Sequence, residues 1–554
     1  MIQSAHAAPA PYGGASTYEE NPSMSTIKQL LGAAAIAASL ATGSAQAQQA
    51  LRWAAQNDIL TLDPHSQNHA TTSTILLHAY EGLVRYSATY EVEPALATKW
   101  TFTSPTTVRF ELRKGVKFHD GTPFTADDVV FSLARIKQPQ GTMQIFVTGV
   151  NEVKKIDDHT IDMILSAPNP TLLRNLIDFR IMSRAWSEKN NTTRVQDYKA
   201  KEENFASRNV MGTGPFRILS WQPEQRVMMA RNEAWWDLNN TKDSPSNIKQ
   251  VVYTPIKAEA TRVAALLAGD VDLLTDVPVQ DLERLSKDKR MKVVNGPEVR
   301  TIFLAPDMGS PELKHGSVKG KNPFADKRVR QALSLAIDRE AIKRSIMRGM
   351  SVPAALIVAP GVNGWTQQLD TPAKPDLARA KALLKEAGYP DGFEVRLNCP
   401  NNRYVNDEKI CQAVVAMWAR LGVKAQLASE NMATFIQKVQ NFDSSIYLLG
   451  WGVANYDAQY SLQSLVRTRT SGADGNFNFS RVSDPALDKL IDGMKSETDV
   501  AKRNGMIRDA LVRVRDETLV IPLHHQIRPW VMRTGVATVH RSDDRPEARF
   551  TSVR

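Results

Sequence analysis

A chain of 554 residues is too long for one hydrophobic core, because single cores stop growing at roughly 250–300 residues, so two or three domains are expected. Hydrophobic residues at 42% and charged residues at 23% are the proportions of a soluble globular protein and exclude a disordered chain or a multi-span membrane protein. The formal net charge of +10 does not mark a nucleic-acid face, since Lys and Arg are scattered among Asp and Glu as on a solvated basic surface.

The first legible element is a targeting segment. From Met24 the sequence MSTIKQLLGAAAIAASLATGSAQA supplies Lys28, an apolar stretch from Leu30 to Leu40 and the small-residue end Ala45-Gln46-Ala47. That layout predicts a signal peptide over 24–47 with cleavage after Ala47, because the stretch is shorter than the roughly 20 residues that span a bilayer. Residues 1–23 read as an upstream extension, with translation expected to begin at Met24. Export to an oxidising compartment makes the two cysteines, Cys399 and Cys411, candidates for a disulfide, the alternative being two buried free thiols.

In the mature region, alternating Val108, Phe110 and Leu112 predict a strand, and His119-Asp120-Gly121 a turn. A helix follows, with Thr125 and Asp128 as a capping box and Val129, Val130, Leu133 and Ile136 at helical spacing. Gly212-Thr213-Gly214-Pro215-Phe216 suits a chain passing close to another backbone before a strand at Phe216, and a tight turn accounts for it equally. Trp235-Trp236 reads as packing before ligand stacking. Between Phe324 and Gly349 one amphipathic helix is predicted, N-capped by Asp326, with Val329, Leu333, Ala336, Ile337 and Ile342 on one side. Asp376 to Ala387 repeats the design and stops at Gly388, where a left-handed cap is needed.

Then the period alternates between two and 3.6. Phe393, Val395 and Leu397 predict a strand, Ile410 to Leu421 a helix, and Val423, Ala425 and Leu427 a second strand. A helix around Thr434 to Val439 and a strand at Ile446 to Leu449 extend this β-α-β unit into a mixed or parallel sheet covered by helices. Open α/β sheets bind ligands beyond the carboxyl ends of their strands. Two loops lie there, Asn398 to Asp407 and Gly450 to Tyr460. The first offers Arg403, Tyr404, Asn406 and Asp407, the second Trp451, Asn455, Tyr456, Asp457 and Tyr460.

Catalytic patterns are missing: no Gly-x-Ser-x-Gly elbow, no His-Glu-x-x-His site, no Cys-x-x-Cys and no phosphate loop. His524-His525 sits in the expected strand Leu519 to Leu523 and its continuation, where neighbours face opposite ways, so two imidazoles on one ion are not expected. No catalytic residue, resident metal or cofactor is assigned.

Taken in order, several segments resemble one family. They are AYEGL from Ala79, EPALA from Glu93, FELRKGVKFHDGTPFTADDVVFSLAR from Phe110, MGTGPFRI from Met211, RNEAWWD from Arg231 and RVAALLAGDVDLL from Arg262. ADKRVRQALSLAIDREAI from Ala325, AKALLKEAGYPDGF from Ala380 and Gly450-Trp451 continue the series. Together they resemble the family-5 extracellular solute-binding proteins, the dipeptide, oligopeptide and nickel binding proteins of ABC importers. The resemblance implies a two-lobed α/β flytrap of the type II periplasmic-binding-protein fold with an additional third domain. It places lobe I at 48–87, 211–305 and 526–554, the additional domain at 88–210 and lobe II at 306–525.

The same resemblance implies a periplasmic, monomeric carrier, not an enzyme, that delivers a peptide or peptide-like molecule to a permease and ATPase and binds no nucleic acid. Arg403 matches the position whose relatives pair with a peptide carboxylate, the alternative being a structural salt bridge with Asp407. Where relatives carry an Asp for the peptide amine this chain has Ala454, so amine recognition depends on Asp457 taking over. Nickel or metal-chelate binding through His524 or His525, opine-like solutes, a secreted hydrolase and a ligand-sensing partner of a membrane receptor are the rival readings.

Overall fold

A computed structural model describes residues 49–242 and 244–554, so the expected signal peptide and upstream extension lie outside the described residues. One mixed sheet organises the fold. Its strands run in the order Lys424–Glu430, Glu394–Pro400, Ile446–Gly452, Met291–Pro306, Ile521–Arg533, Leu273–Leu274, Ala50–Ala55, Gln250–Pro255, Arg226–Arg231 and Phe216–Gln222. Ser351–Pro353 pairs antiparallel with part of Ile521–Arg533, off this path.

Two parallel α/β units lie in this sheet, one at one end and one inside the other end, where Gln250–Pro255, Arg226–Arg231 and Phe216–Gln222 finish the sheet in antiparallel pairs. Glu394–Pro400 pairs in parallel with Lys424–Glu430 and with Ile446–Gly452, through the helices Asp407–Ala419 and Met432–Gln440. At the other end Ala50–Ala55 pairs in parallel with Gln250–Pro255 and Leu273–Leu274. Between them Met291–Pro306 and Ile521–Arg533, of 16 and 13 residues, run antiparallel along each other, with a register shift between Pro297 and Thr301. The shift leaves backbone between Pro297 and Thr301 outside the regular ladder. The borders expected at 305/306 and 525/526 fall inside these strands.

A separate four-stranded antiparallel sheet, ordered Ala97–Ser104, Thr107–Leu112, Thr160–Leu165 and Val150–Asp157, lies within 88–210 and is covered by the helix Ala126–Ile136. The capping box is present: the Asp128 carboxylate accepts the Thr125 N–H at 2.9 Å. This segment is tied to the chain before it by an ion pair fully removed from water, Arg135 to Asp63 at 2.6 Å. Such a pair contributes specificity of placement as much as stability, because burying both charges costs most of what their attraction returns.

Gly212 and Gly214 pass against the backbone of His78 and Ala79. A Cβ on Gly212 would sit 1.9 Å from the Ala79 carbonyl oxygen, and one on Gly214 2.7 Å from that of His78. Only glycine permits the bonds from Gly214 N–H to Ala79 O and Phe216 N–H to His78 O, both 2.9 Å.

One expectation fails. The helix predicted across Phe324 to Gly349 is broken: Lys327–Leu335 ends at Ala336, and Asp338 caps a new segment over Arg339–Ala341 that continues as a π turn over Ile342–Ile346. The Asp338 carboxylate accepts the Ala341 N–H at 2.8 Å, and a capping carboxylate stops one helix as it starts the next. The predicted helix Asp376 to Ala387 forms as Leu377–Glu386, with Gly388 at φ +87°.

Candidate functional site

The neighbouring strands Glu394–Pro400 and Ile446–Gly452 point the same way and bond to each other, so the loops after them lie side by side. On the other flank Ile446–Gly452 pairs with Met291–Pro306, which sets Arg300 opposite Gly452. Gly450 lets the loops close up, since a Cβ there would meet the Tyr404 ring at 2.6 Å. The Tyr404 hydroxyl donates to the Gly450 carbonyl at 3.1 Å, and Arg300 Nη1 donates to the same oxygen at 3.3 Å.

Arg403 stands at the centre of this arrangement. Its backbone N–H and that of Tyr404 donate to Asp407 Oδ2 at 2.9 and 3.0 Å, so the expected alternative of an Arg403–Asp407 salt bridge is not formed. The guanidinium rests 5.2 Å from the Tyr404 ring centre, and among the described residues no carboxylate lies within ion-pair distance of it. Burial, then the Arg300 charge, lowers the Arg403 pKa. Burial also raises the Asp407 carboxyl to about 6, against three accepted backbone N–H groups. Cys399 and Cys411 are joined with Cα atoms 6.5 Å apart, which fastens the strand before this loop to the helix after it.

Trp451 supplies a second open donor. Its ring stacks on Tyr460 at 5.3 Å and meets Phe477 at 4.7 Å, while its indole Nε1 is buried with no partner. Tyr460 stacks in turn on Phe146 at 6.3 Å and accepts a hydrogen bond from Asn68 Nδ2 at 3.2 Å. Gln56 Nε2 reaches the Asn402 carbonyl at 2.7 Å, so the segment 56–69 touches both loops. His69, at the head of the helix Ala70–Leu76, faces the same charges: burial, then Arg403 and Arg300, lowers its imidazole to about 3, leaving it neutral at pH 7.

The remaining residues singled out in the sequence are held by local partners. Asn406 takes φ +54° and donates to the Ile346 carbonyl at 2.8 Å, away from Arg403. Asn455 donates to Asn175 Oδ1 at 2.8 Å, tying its loop to the 88–210 segment. Tyr456 packs against Tyr86 and Tyr90, and its hydroxyl bonds Ser542 Oγ at 2.9 Å. Asp457 is engaged within the chain: both its oxygens accept from Arg503 at 2.7 and 2.8 Å, and it also accepts from Asn363 and the Gln459 N–H. These four accepted hydrogen bonds occupy the acceptor sites of its carboxylate.

Sequence reasoning did not find Asn68, His69 or Arg300, which reach the loops from more than a hundred residues away. Metal binding gains no geometry. His525 bonds Asp370 Oδ2 at 2.6 Å and Thr301 Oγ1 at 2.9 Å, while His524 is buried with neither ring nitrogen bonded and its pKa lowered to about 3 by burial. No group of three or more metal-binding side chains occurs among the described residues.

A family model described as bacterial extracellular solute-binding proteins, family 5 middle, matches residues 91–473. Heme-binding protein A of Haemophilus influenzae is 28% identical over 481 residues, which cover 81% of this chain and 82% of that protein. The dipeptide-binding protein of Escherichia coli K12 is 27% identical over 473 residues, 80% of this chain and 83% of that one. Among solved structures, the ABC transporter-associated periplasmic binding protein DppA from Helicobacter pylori, in complex with the peptide STSA, superposes with a TM-score of 0.77 at 23% identity, covering 91% of this chain and 98% of that one. The mixed α/β architecture is therefore that of the periplasmic binding proteins.

Proposed function

Because the chain belongs to the bacterial extracellular solute-binding proteins of family 5, we propose that it captures a peptide or peptide-like small molecule between two hinged lobes and passes it, unaltered, to the permease and ATPase of an ABC importer. The observation that carries this reading is the Arg403 guanidinium, placed where two strand-end loops converge and left without a carboxylate. A guanidinium fork matches a carboxylate with two parallel hydrogen bonds, and a C-terminal carboxylate is what a peptide presents. The dipeptide-binding relative supports the same class of cargo.

Lobes at 48–87 with 211–305 and 526–554, and at 306–525, would rotate about the two long central strands, with 88–210 as an added domain. Ligand favours closure only by binding the closed form better, and here Asn68, His69 and Tyr460 bring contacts from both sides. Cleavage after Ala47 would release the protein into the periplasm, where it works as a monomer without catalysis.

Native mass spectrometry of the mature protein, prepared from a periplasmic extract, tests the reading. A small adduct that is lost intact on denaturation, and replaced by added dipeptide, is expected. A cargo that returns chemically changed, or indifference to every peptide offered, would sink it.

A further inference from the structure

The two long central strands lose register at two places, and the wider gap lies where Pro297 faces Ile527 and Thr301 faces His525. Glu298, Val299 and Arg300 there stand opposite the single residue Gln526. Beyond this bulge Arg300 is already in register with Gly452, on the strand that leads into the loop 453–457. Backbone up to Pro297 thus belongs to one end of the sheet and backbone from Arg300 to the other. Between them the ladder that would fix their relative angle is interrupted.

Buried side chains and borrowed backbone bonds hold the bulge instead. The Glu298 carboxylate, 2% exposed, accepts from Arg300 Nε at 2.6 Å through one oxygen and from Gln526 Nε2 at 2.8 Å through the other. The adjacent cation Arg528 is taken by Asp276 and Asp544, so Arg300 is the cation that Glu298 holds. Val299 N–H donates to the Ser542 carbonyl at 2.8 Å, and the Val299 carbonyl accepts the Val453 N–H at 2.9 Å. Arg300 in turn donates to the Gly450 carbonyl, which the Tyr404 hydroxyl also reaches. One carboxylate out of water therefore ties the two strands to each other and, through Arg300, to both loops. Such a group is stable only while both its oxygens are filled.

We infer that Glu298 is a positioning residue for cargo capture, an inference that rests on the reading above of two lobes closing around a cargo. Its carboxylate pins the bulge at the angle that brings the loops 401–406 and 453–457 against the segment 56–69. Being buried, it acts on cargo at second hand, through Arg300 on Gly450 and through the bulge backbone on Val453. Apparent affinity falls with the fraction of protein that can adopt the binding angle, so loosening the pin weakens every cargo by one common factor.

Spin labels on two exposed positions of the mature protein, Lys287→Cys and Lys381→Cys, report the angle between the lobes as a distance distribution. Without cargo, Glu298→Gln is expected to broaden that distribution. In calorimetry it should weaken Ala-Phe and Ala-Ala by the same factor, about five- to tenfold, the scale of exchanging a hydrogen bond to a charged group for a neutral one. Gln526→Leu keeps the Glu298–Arg300 pair and removes the arm between the strands, while the Gln526 amide oxygen has no partner to lose. It should act in the same direction by about two- to fourfold, and it decides the matter if Glu298→Gln does not fold. Unchanged distances overturn the inference even if the melting temperature falls, because the network would then be structural alone. Unchanged affinity overturns it as well, and so do factors for the two dipeptides that differ by more than about threefold, since a group in contact with cargo discriminates between cargoes. If neither dipeptide binds the parent protein, the peptide reading fails, and the cargo-free distances alone decide the pin: broadened, it stands; unchanged, it falls.

Discussion

The loops 401–406 and 453–457 follow neighbouring parallel strands and treat a charged side chain in opposite ways, Asp457 being buried and Arg403 half-exposed. The second loop closes its account: Asp457 is gripped by Arg503 through two hydrogen bonds, with each side chain only 7% exposed. The first fixes its backbone on Asp407 and leaves the Arg403 guanidinium unmatched. A buried ion that is fully paired positions the chain, whereas a half-buried guanidinium with no carboxylate beside it on a rigid mount is free to meet a ligand. Charge content alone would have ranked the two loops equally.

The comparison breaks most easily at Asp457. Asp457→Ala should strand Arg503 in the core and remove the cap of the helix Ala458–Leu465, lowering stability by about 3–5 kcal/mol in a denaturant titration. Adding Arg503→Met should recover much of that loss, since a pair replaced by apolar groups is often near neutral. If Asp457→Ala instead unfolds normally but no longer binds cargo, the two loops share one task and the contrast is void.

Reducing the Cys399–Cys411 bridge should cost about 3 kcal/mol on the chain-entropy account for a loop closed across a separation of 12 residues. The bridge belongs to the first loop's mount, so Cys399→Ser with Cys411→Ser should lower stability while changing affinity less than Arg403→Ala does. Finding both thiols open to alkylation in the denatured, unreduced exported protein would remove the bridge altogether.

Much of this mount was legible in the sequence because periodicity reports burial. The helix from Leu377, its stop at Gly388 and the strand–helix–strand run from Phe393 each carry their own period and caps. The break at Asp338 was not read, because Ile337 and Ile342 keep the apolar stripe going across it while the carboxylate starts a new segment. Within the site, composition found Arg403 and Trp451 but could not rank them above Asn406, Asn455 and Asp457. What separates these residues is whether a partner arrives: Ile346, Asn175 and Arg503 come from elsewhere in the chain, and no local pattern announces them.

A finer contrast comes from pH. The Asp407 carboxyl is raised to about 6 by burial, so the folded state holds its proton more tightly than the unfolded chain does. The stability this contributes is complete below about pH 4 and is lost as pH rises through 6, on the order of 3 kcal/mol. Relative to Asp407→Asn, the protein should therefore lose stability between pH 4 and pH 6. Parallel curves for the two proteins across that window would show that the loop's backbone anchors offset the burial entirely.

The smallest effect on stability, and the sharpest test of the contrast, is expected at Arg403 itself. Since its guanidinium lies over the Tyr404 ring with no described carboxylate in ion-pair reach, Arg403→Ala removes a half-exposed charge with no ion pair to break, and stability should move by less than about 1 kcal/mol in either direction. Affinity for a carboxylate-bearing cargo should fall by about 30-fold or more, because the ligand's charge would then be buried alone. The two readouts must part company: a large loss of stability would place Arg403 with Arg503 among the structural ions, and unchanged calorimetric affinity would take it out of the site. Arg403→Lys divides the remaining possibilities, since it restores the charge but not the planar fork. Recovery of affinity by lysine would assign the group a purely Coulombic part, whereas continued weakness would show that the two parallel hydrogen bonds are what the first loop is built to offer.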